Sequence, residues 1–143
     1  MITHTFSTIV VSILTLASSA LALPANVSPA DVSPLEKRFD LTCQDNGGGY
    51  RPVGEAQACV NYLFNKGTTH CVVDGTNVIF CRAGNTVITG SNISGGPSAS
   101  SHCVDVAWGA QDIIDSCTTP DGWVGGAAAA RGNGGLVVAI NWG

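Results

Sequence analysis

The sequence predicts one disulfide-rich α+β domain over residues 39–143, an antiparallel sheet with two helices packed on one face as a sandwich. Three observations carry that expectation. Two segments hold apolar residues at the 3.6-residue period of a helix. Short β-prone runs, broken by glycine-containing turns, lie between and after them. All six cysteines of the chain fall beyond residue 38.

Residues 1–38 read as material removed before the domain works. Residues 6–17 form an apolar run of signal-peptide length, too short for the roughly 20 residues a bilayer-spanning helix needs. Small residues follow, and Ala20-Leu21-Ala22 places the signal-peptidase cut after Ala22, so that 1–22 is the signal. Residues 23–38 carry three prolines and few apolar side chains, too little to offset the entropy of ordering them. They end on Lys37-Arg38, a dibasic pair of the kind cut by furin- or kexin-type proteases. The expected product is secreted, extracellular and begins at Phe39.

Within 39–143 the first helix follows Pro52 and Gly54. Ala56, Cys59, Val60 and Leu63 mark one face, and Gly67 supplies the stop. Runs at 70–73, 78–82 and 86–89, separated by Asp74-Gly75 and Gly84-Asn85, predict a three-stranded antiparallel meander. A three-residue loop over 75–77 would set Cys71 opposite Cys81, whereas a two- or four-residue loop would not. Residues 91–101, rich in Ser, Gly and Pro, read as a surface loop, with Asn92-Ile93-Ser94 as a glycosylation sequon.

The second helix shows the stripe Cys103, Val106, Ala107, Ala110, Ile113, Ile114 and Cys117, with Ser101 as the expected N-cap. The tail returns to β structure. A small-sided strand lies over 123–130, a turn over 131–135, and a strand over 136–142. In that last strand Leu136, Val138, Ile140 and Trp142 face one way, Val137, Ala139 and Asn141 the other. The small side chains of 123–130 would let a helix lie close on the sheet.

Six cysteines in a short secreted chain read as three disulfides, among Cys43, Cys59, Cys71, Cys81, Cys103 and Cys117. A continuous second helix sets Cys103 and Cys117 about 21 Å apart, so those two do not pair with each other. A structural metal is not expected. No Cys-x2-Cys pair occurs, and His70 beside Cys71 and His102 beside Cys103 lack zinc-finger spacing.

Charge narrows the partners. Four of the six Lys/Arg and eight of the ten Asp/Glu follow Arg38, so the net charge of −4 survives loss of the leader. The absence of a basic cluster speaks against nucleic acid and against an anionic membrane surface. Catalysis is not expected either. The chain has no Gly-x-Ser-x-Gly or His-Glu-x-x-His motif. Thiolates would be oxidised, and Asp112 and Asp115, three apart, read as acids on the solvent face of a helix. The glycine clusters 47–49 and 132–135 lack phosphate-loop spacing and read as turns, and no cofactor is expected.

The candidate ligand-binding residues are Trp108, Asp112 and Trp142. Trp108 lies almost opposite the buried stripe of the second helix, with Asp105, Asp112 and Asp115 around it. Trp142 ends the last strand. Such a tryptophan stacks on a sugar ring or anchors a protein contact.

The run Val106-Ala107-Trp108-Gly109-Ala110-Gln111-Asp112-Ile113-Ile114-Asp115, then Asp121-Gly122-Trp123-Val124-Gly125-Gly126 and the strand 138–142, resembles the C-terminal half of fungal necrosis-inducing secreted effectors. The segment Ala58-Cys59-Val60-x-x-Leu63 is similar to an earlier helix of that family. Smut-fungus killer toxins likewise end in a glycine-rich turn and a hydrophobic strand. The resemblance implies a non-enzymatic effector or toxin-like protein that binds an extracellular host or competitor component. A carbohydrate-binding, lectin-like protein is the alternative, and a small secreted hydrolase or ribonuclease with His70 and His102 as acid and base is the less favoured third reading. This chain departs from those families in having six cysteines where the effectors have four and in being acidic where the killer toxins are basic. No family active-site residue carries over.

Overall fold

The computed structural model describes residues 39–43 and 49–143. The elements run β1 (Arg51–Pro52), α1 (Val53–Lys66), β2 (His70–Asp74), β3 (Asn77–Ala83), β4 (Thr86–Asn92), β5 (Ser98–His102), α2 (Cys103–Cys117), β6 (Trp123–Val124), β7 (Gly126–Ala130) and β8 (Asn133–Trp142). A four-stranded antiparallel sheet in the order β3-β4-β8-β7 forms one layer. Both helices pack on one of its faces, as expected for a disulfide-rich α+β sandwich.

The two apolar stripes explain that layer. Ala56, Cys59, Val60 and Leu63 of α1 are fully buried, as are Val106, Ala107, Ala110 and Ile113 of α2. They meet Ile88 of β4, Ala128 and Ala130 of β7, and Leu136, Val138 and Ile140 of β8 in one core. The period-2 alternation of β8 holds, because Val137 and Ala139 join a second small cluster on the opposite face under Phe39 and Ile93. The segment carrying Phe39 also closes the β7 edge, where Thr42 and Ala127 exchange backbone hydrogen bonds of 2.9 and 3.0 Å.

Helix ends follow local chemistry. Glu55 in the first turn and Lys66 in the last complement the dipole of α1, and Gly67, at φ +55°, ends it. Glu55 also accepts a 2.7 Å hydrogen bond from the buried Thr86 hydroxyl, tying α1 to β4. At α2 the N-cap is His102, with no side-chain cap bond, rather than Ser101. Ser101 is instead held in β5 opposite Cys71.

That ladder corrects the expected meander. β2 pairs with β5, from His70↔His102 to Asp74↔Ser98, and not with β3. Gly75, at φ +82°, lets the chain turn while its N–H bonds Pro97 O at 3.0 Å, which closes the β2–β5 ribbon. The polar run 91–101 is therefore not wholly a loop, since β4 extends to Asn92 and β5 begins at Ser98. The β3–β4 hairpin at Gly84-Asn85 forms as expected. In the tail the turn is only Arg131-Gly132, because Gly134 and Gly135 continue the strand and Ile93 N–H bonds Gly135 O at 2.9 Å.

The disulfides join Cys43 to Cys117, Cys59 to Cys81, and Cys71 to Cys103. Cys71 and Cys81 do not face each other, which follows from β2 leaving the sheet. Cys103 and Cys117 bond to different partners, as the helix length required. Ala22, Lys37 and Arg38, the expected processing positions, lie outside the described residues.

Candidate binding surface

The sequence-derived candidates divide between two places. Trp108 sits on the outer side of α2 with 39% of its surface exposed, but its ring is already engaged. The Arg131 guanidinium lies over it, 4.4 Å from the ring centroid, and Phe64 of α1 meets it edge-on at 4.9 Å. Asp112 fixes that arginine through contacts of 2.9 and 3.3 Å to Nη2 and Nε. These hydrogen bonds, more than the charges alone, raise the pKa of Arg131 above its ordinary value. Trp108 and Asp112 thus belong to one self-contained stack, in which the tail turn covers the tryptophan. Asp115 serves elsewhere, accepting a 2.8 Å bond from Gln111, whose own carbonyl accepts one from Gln57.

Trp142 is different. It ends β8 with 64% of its surface exposed, and the Arg51 guanidinium carbon lies 6.0 Å from its ring centroid. Arg51 belongs to β1, a two-residue strand paired with β6 as Arg51↔Val124 and Pro52↔Trp123. Val124 is fully buried, so Trp123 on the alternate side turns outward, 45% exposed. Tyr50, one residue before β1 and 44% exposed, lies against Gly125, where an added Cβ would stand 3.5 Å from its ring. Tyr50 and Trp123 are therefore diagonal neighbours across the ribbon, within reach of each other as aromatic side chains. Tyr50 and Trp123 thus share the outer face of the ribbon, while Arg51, on its other face beside Val124, reaches toward Trp142.

Tyr50 and Trp123 were not among the sequence-derived candidates. The strand that orients them is two residues long and abuts a helix, so it carries no alternating pattern to read. The only available signal was an aromatic residue leaving the glycine turn Asp121-Gly122.

The expected sequon residue is also structurally occupied. Asn92 Nδ2 donates to Gly75 O at 3.1 Å and Gly96 O at 2.9 Å, while its Oδ1 accepts from Ser94 N and Oγ at 3.0 and 2.7 Å. No cluster of three or more His, Cys, Asp or Glu side chains suited to a metal ion occurs among the described residues, and all six cysteines are bridged. Among those residues no helix is long and apolar enough to cross a membrane.

A family model described as Domain of unknown function (DUF8794) matches residues 38–142. The chain belongs to that family. The DUF8794 match spans every element from β1 to β8. A search of curated proteins returns no significant match.

Proposed function

We propose that the DUF8794 domain works outside the cell as a non-catalytic, effector- or toxin-like protein. It docks on a component of a host or competitor through the β1–β6 ribbon and the end of β8, which carry Tyr50, Trp123 and Trp142. The observation that carries this reading is the exposed Trp142 ring with the Arg51 guanidinium 6.0 Å from its centroid, on a ribbon whose outer face also exposes Tyr50 and Trp123. Aromatic and arginine side chains of this kind dominate the energetics of binding surfaces. Three disulfides in a small domain suit an oxidising compartment, which supports secretion after cuts at Ala22 and at Lys37-Arg38. The resemblance to fungal necrosis-inducing effectors points the same way.

A second reading, a lectin-like protein, is favoured by Trp142, whose exposed ring offers a flat apolar face for a sugar. One experiment addresses both. Protein expressed from the full-length chain, with Trp123→Ala and Trp142→Ala variants, is applied at micromolar concentration to plant tissue and microbial cells and to a glycan array. A tissue or cell response that both variants lose supports the effector reading, and array binding lost with Trp142 selects the lectin. Absence of any response or binding, or equal behaviour of all three proteins, overturns the surface assignment.

A further inference from the structure

We propose that His70 and His102 form a solvent-facing binding site for a divalent first-row transition-metal ion on the β2–β5 ribbon. The two residues are direct cross-strand partners, and their imidazole centroids lie 5.2 Å apart with the planes inclined at 64°. Metal–imidazole nitrogen bonds run about 2.0–2.1 Å. Adding about 1.2 Å from nitrogen to ring centre puts two rings on one near-tetrahedral ion about 5 Å apart. The observed spacing already meets that requirement, so binding asks for ring rotation and little backbone movement.

The spacing is also held rigidly. Each histidine is the sequence neighbour of a bridged cysteine, since Cys71 and Cys103 form a disulfide between β2 and the start of α2. Backbone bonds from Cys103 N to Thr69 O (2.8 Å) and from Val104 N to Gly67 O (2.9 Å) close the same corner. A pair of imidazoles fixed in this way loses little conformational freedom on taking a ligand, which favours chelation over two independent contacts.

Charge at the site is mixed. The N-terminal end of α2 opposes a cation there. Asp105, in the first turn of that helix, offsets this, with Oδ2 3.8 Å from His102 Nδ1. That is too long for a hydrogen bond but close enough to orient the ring and attract the ion. Part of its charge is shared with Arg131. With two protein ligands and no third His, Cys, Asp or Glu positioned to close the sphere, the ion keeps water in its remaining positions. Imidazole ligands suit Cu2+, Zn2+ and Ni2+, and Cu2+ binds tightest by the general order of stability.

The test is calorimetric titration of CuCl2, and separately ZnCl2, into protein expressed from the full-length chain without a histidine tag. Variants His70→Ala and His102→Ala are compared with Asp121→Ala, which changes an exposed acid of the turn before β6. The expected result is one saturable site, weakened at least about tenfold in each of the first two variants and unchanged in the third. Cu2+ then raises the melting temperature of the wild type but not of the first two variants. Both histidines are exposed, so metal-free melting temperatures should match and keep the comparison valid. Absence of saturable binding at millimolar metal, or binding unaffected by either substitution, overturns the site and leaves only a packed pair of rings.

Discussion

Arg131 and Trp108 are stacked, guanidinium carbon to ring centroid 4.4 Å, and Asp112 holds the arginine there. A tryptophan that helical geometry turns outward is thereby converted from a free platform into part of the surface packing between α2 and the β7–β8 turn. Arg131→Ala should shift Trp108 fluorescence to the red and lower the denaturation midpoint slightly. Asp112→Asn should cost less still, because both partners of the ion pair are well exposed and solvent screens them. Neither change should alter a response or binding that depends on Trp142. Chemical denaturation and emission spectra check the first two outcomes.

The Cys43–Cys117 bridge closes the longest of the three loops, with 74 residues of separation against 22 and 32 for the others. It also pins the segment that covers the β7 edge. Loop-closure entropy predicts that replacing both cysteines by serine costs about 4 kcal/mol, more than losing Cys59–Cys81. Comparison of urea midpoints for the two double variants decides this. A smaller loss at Cys43–Cys117 would mean that the unfolded chain is little constrained by the bridge.

Much of this architecture was legible in the sequence, and the rest failed for identifiable reasons. The helices announced themselves because Cys103, Ala110 and Cys117 repeat at a period that only a buried helical face explains. The β3–β4 hairpin was readable from Gly84-Asn85. The partner of β2 was not, because Ser98 to Ser101 has the composition of a loop and becomes a strand only where the Cys71–Cys103 bridge and the Gly75 turn bring it alongside. The same limit applies to the candidate surface. Trp142 could be named from the end of a strand. That Tyr50 and Trp123 share one exposed face depends on the two-residue pairing Arg51↔Val124 and Pro52↔Trp123, which no local pattern encodes.

Asn92 offers a test of structure against motif. A glycan on Nδ2 removes one of its two hydrogens, yet both are used, toward Gly75 O and Gly96 O. We expect the protein from a eukaryotic host to carry no glycan at this position, seen as an unchanged mass after glycosidase treatment. Asn92→Ala, which leaves those carbonyls and the Ser94 N–H without this partner, should cost about 1–2 kcal/mol. A surface sequon without a structural role would tolerate that change almost freely.

Gly109 gives the sharpest prediction, because two effects of known size oppose each other there. At an ordinary helix position Gly→Ala stabilises by about 1 kcal/mol. In α2 the added Cβ would stand 2.8 Å from the carbonyl oxygen of Ala129 and 3.4 Å from the Ala130 Cα. Both obstacles are backbone, in a strand whose other face supports Val137 and Ala139 and whose edge is closed by Thr42. The strand cannot swing aside as a flexible side chain would, and overpacking of this kind costs about 1–3 kcal/mol. Gly109→Ala should therefore be net destabilising, by about 1 kcal/mol, while Gly54→Ala, where nothing lies within 4 Å of the new atom, should stabilise. Thermal melts of the two variants should move in opposite directions. Equal stabilisation of both would show that α2 stands further from β7 than the small side chains of Ala127–Ala130 permit.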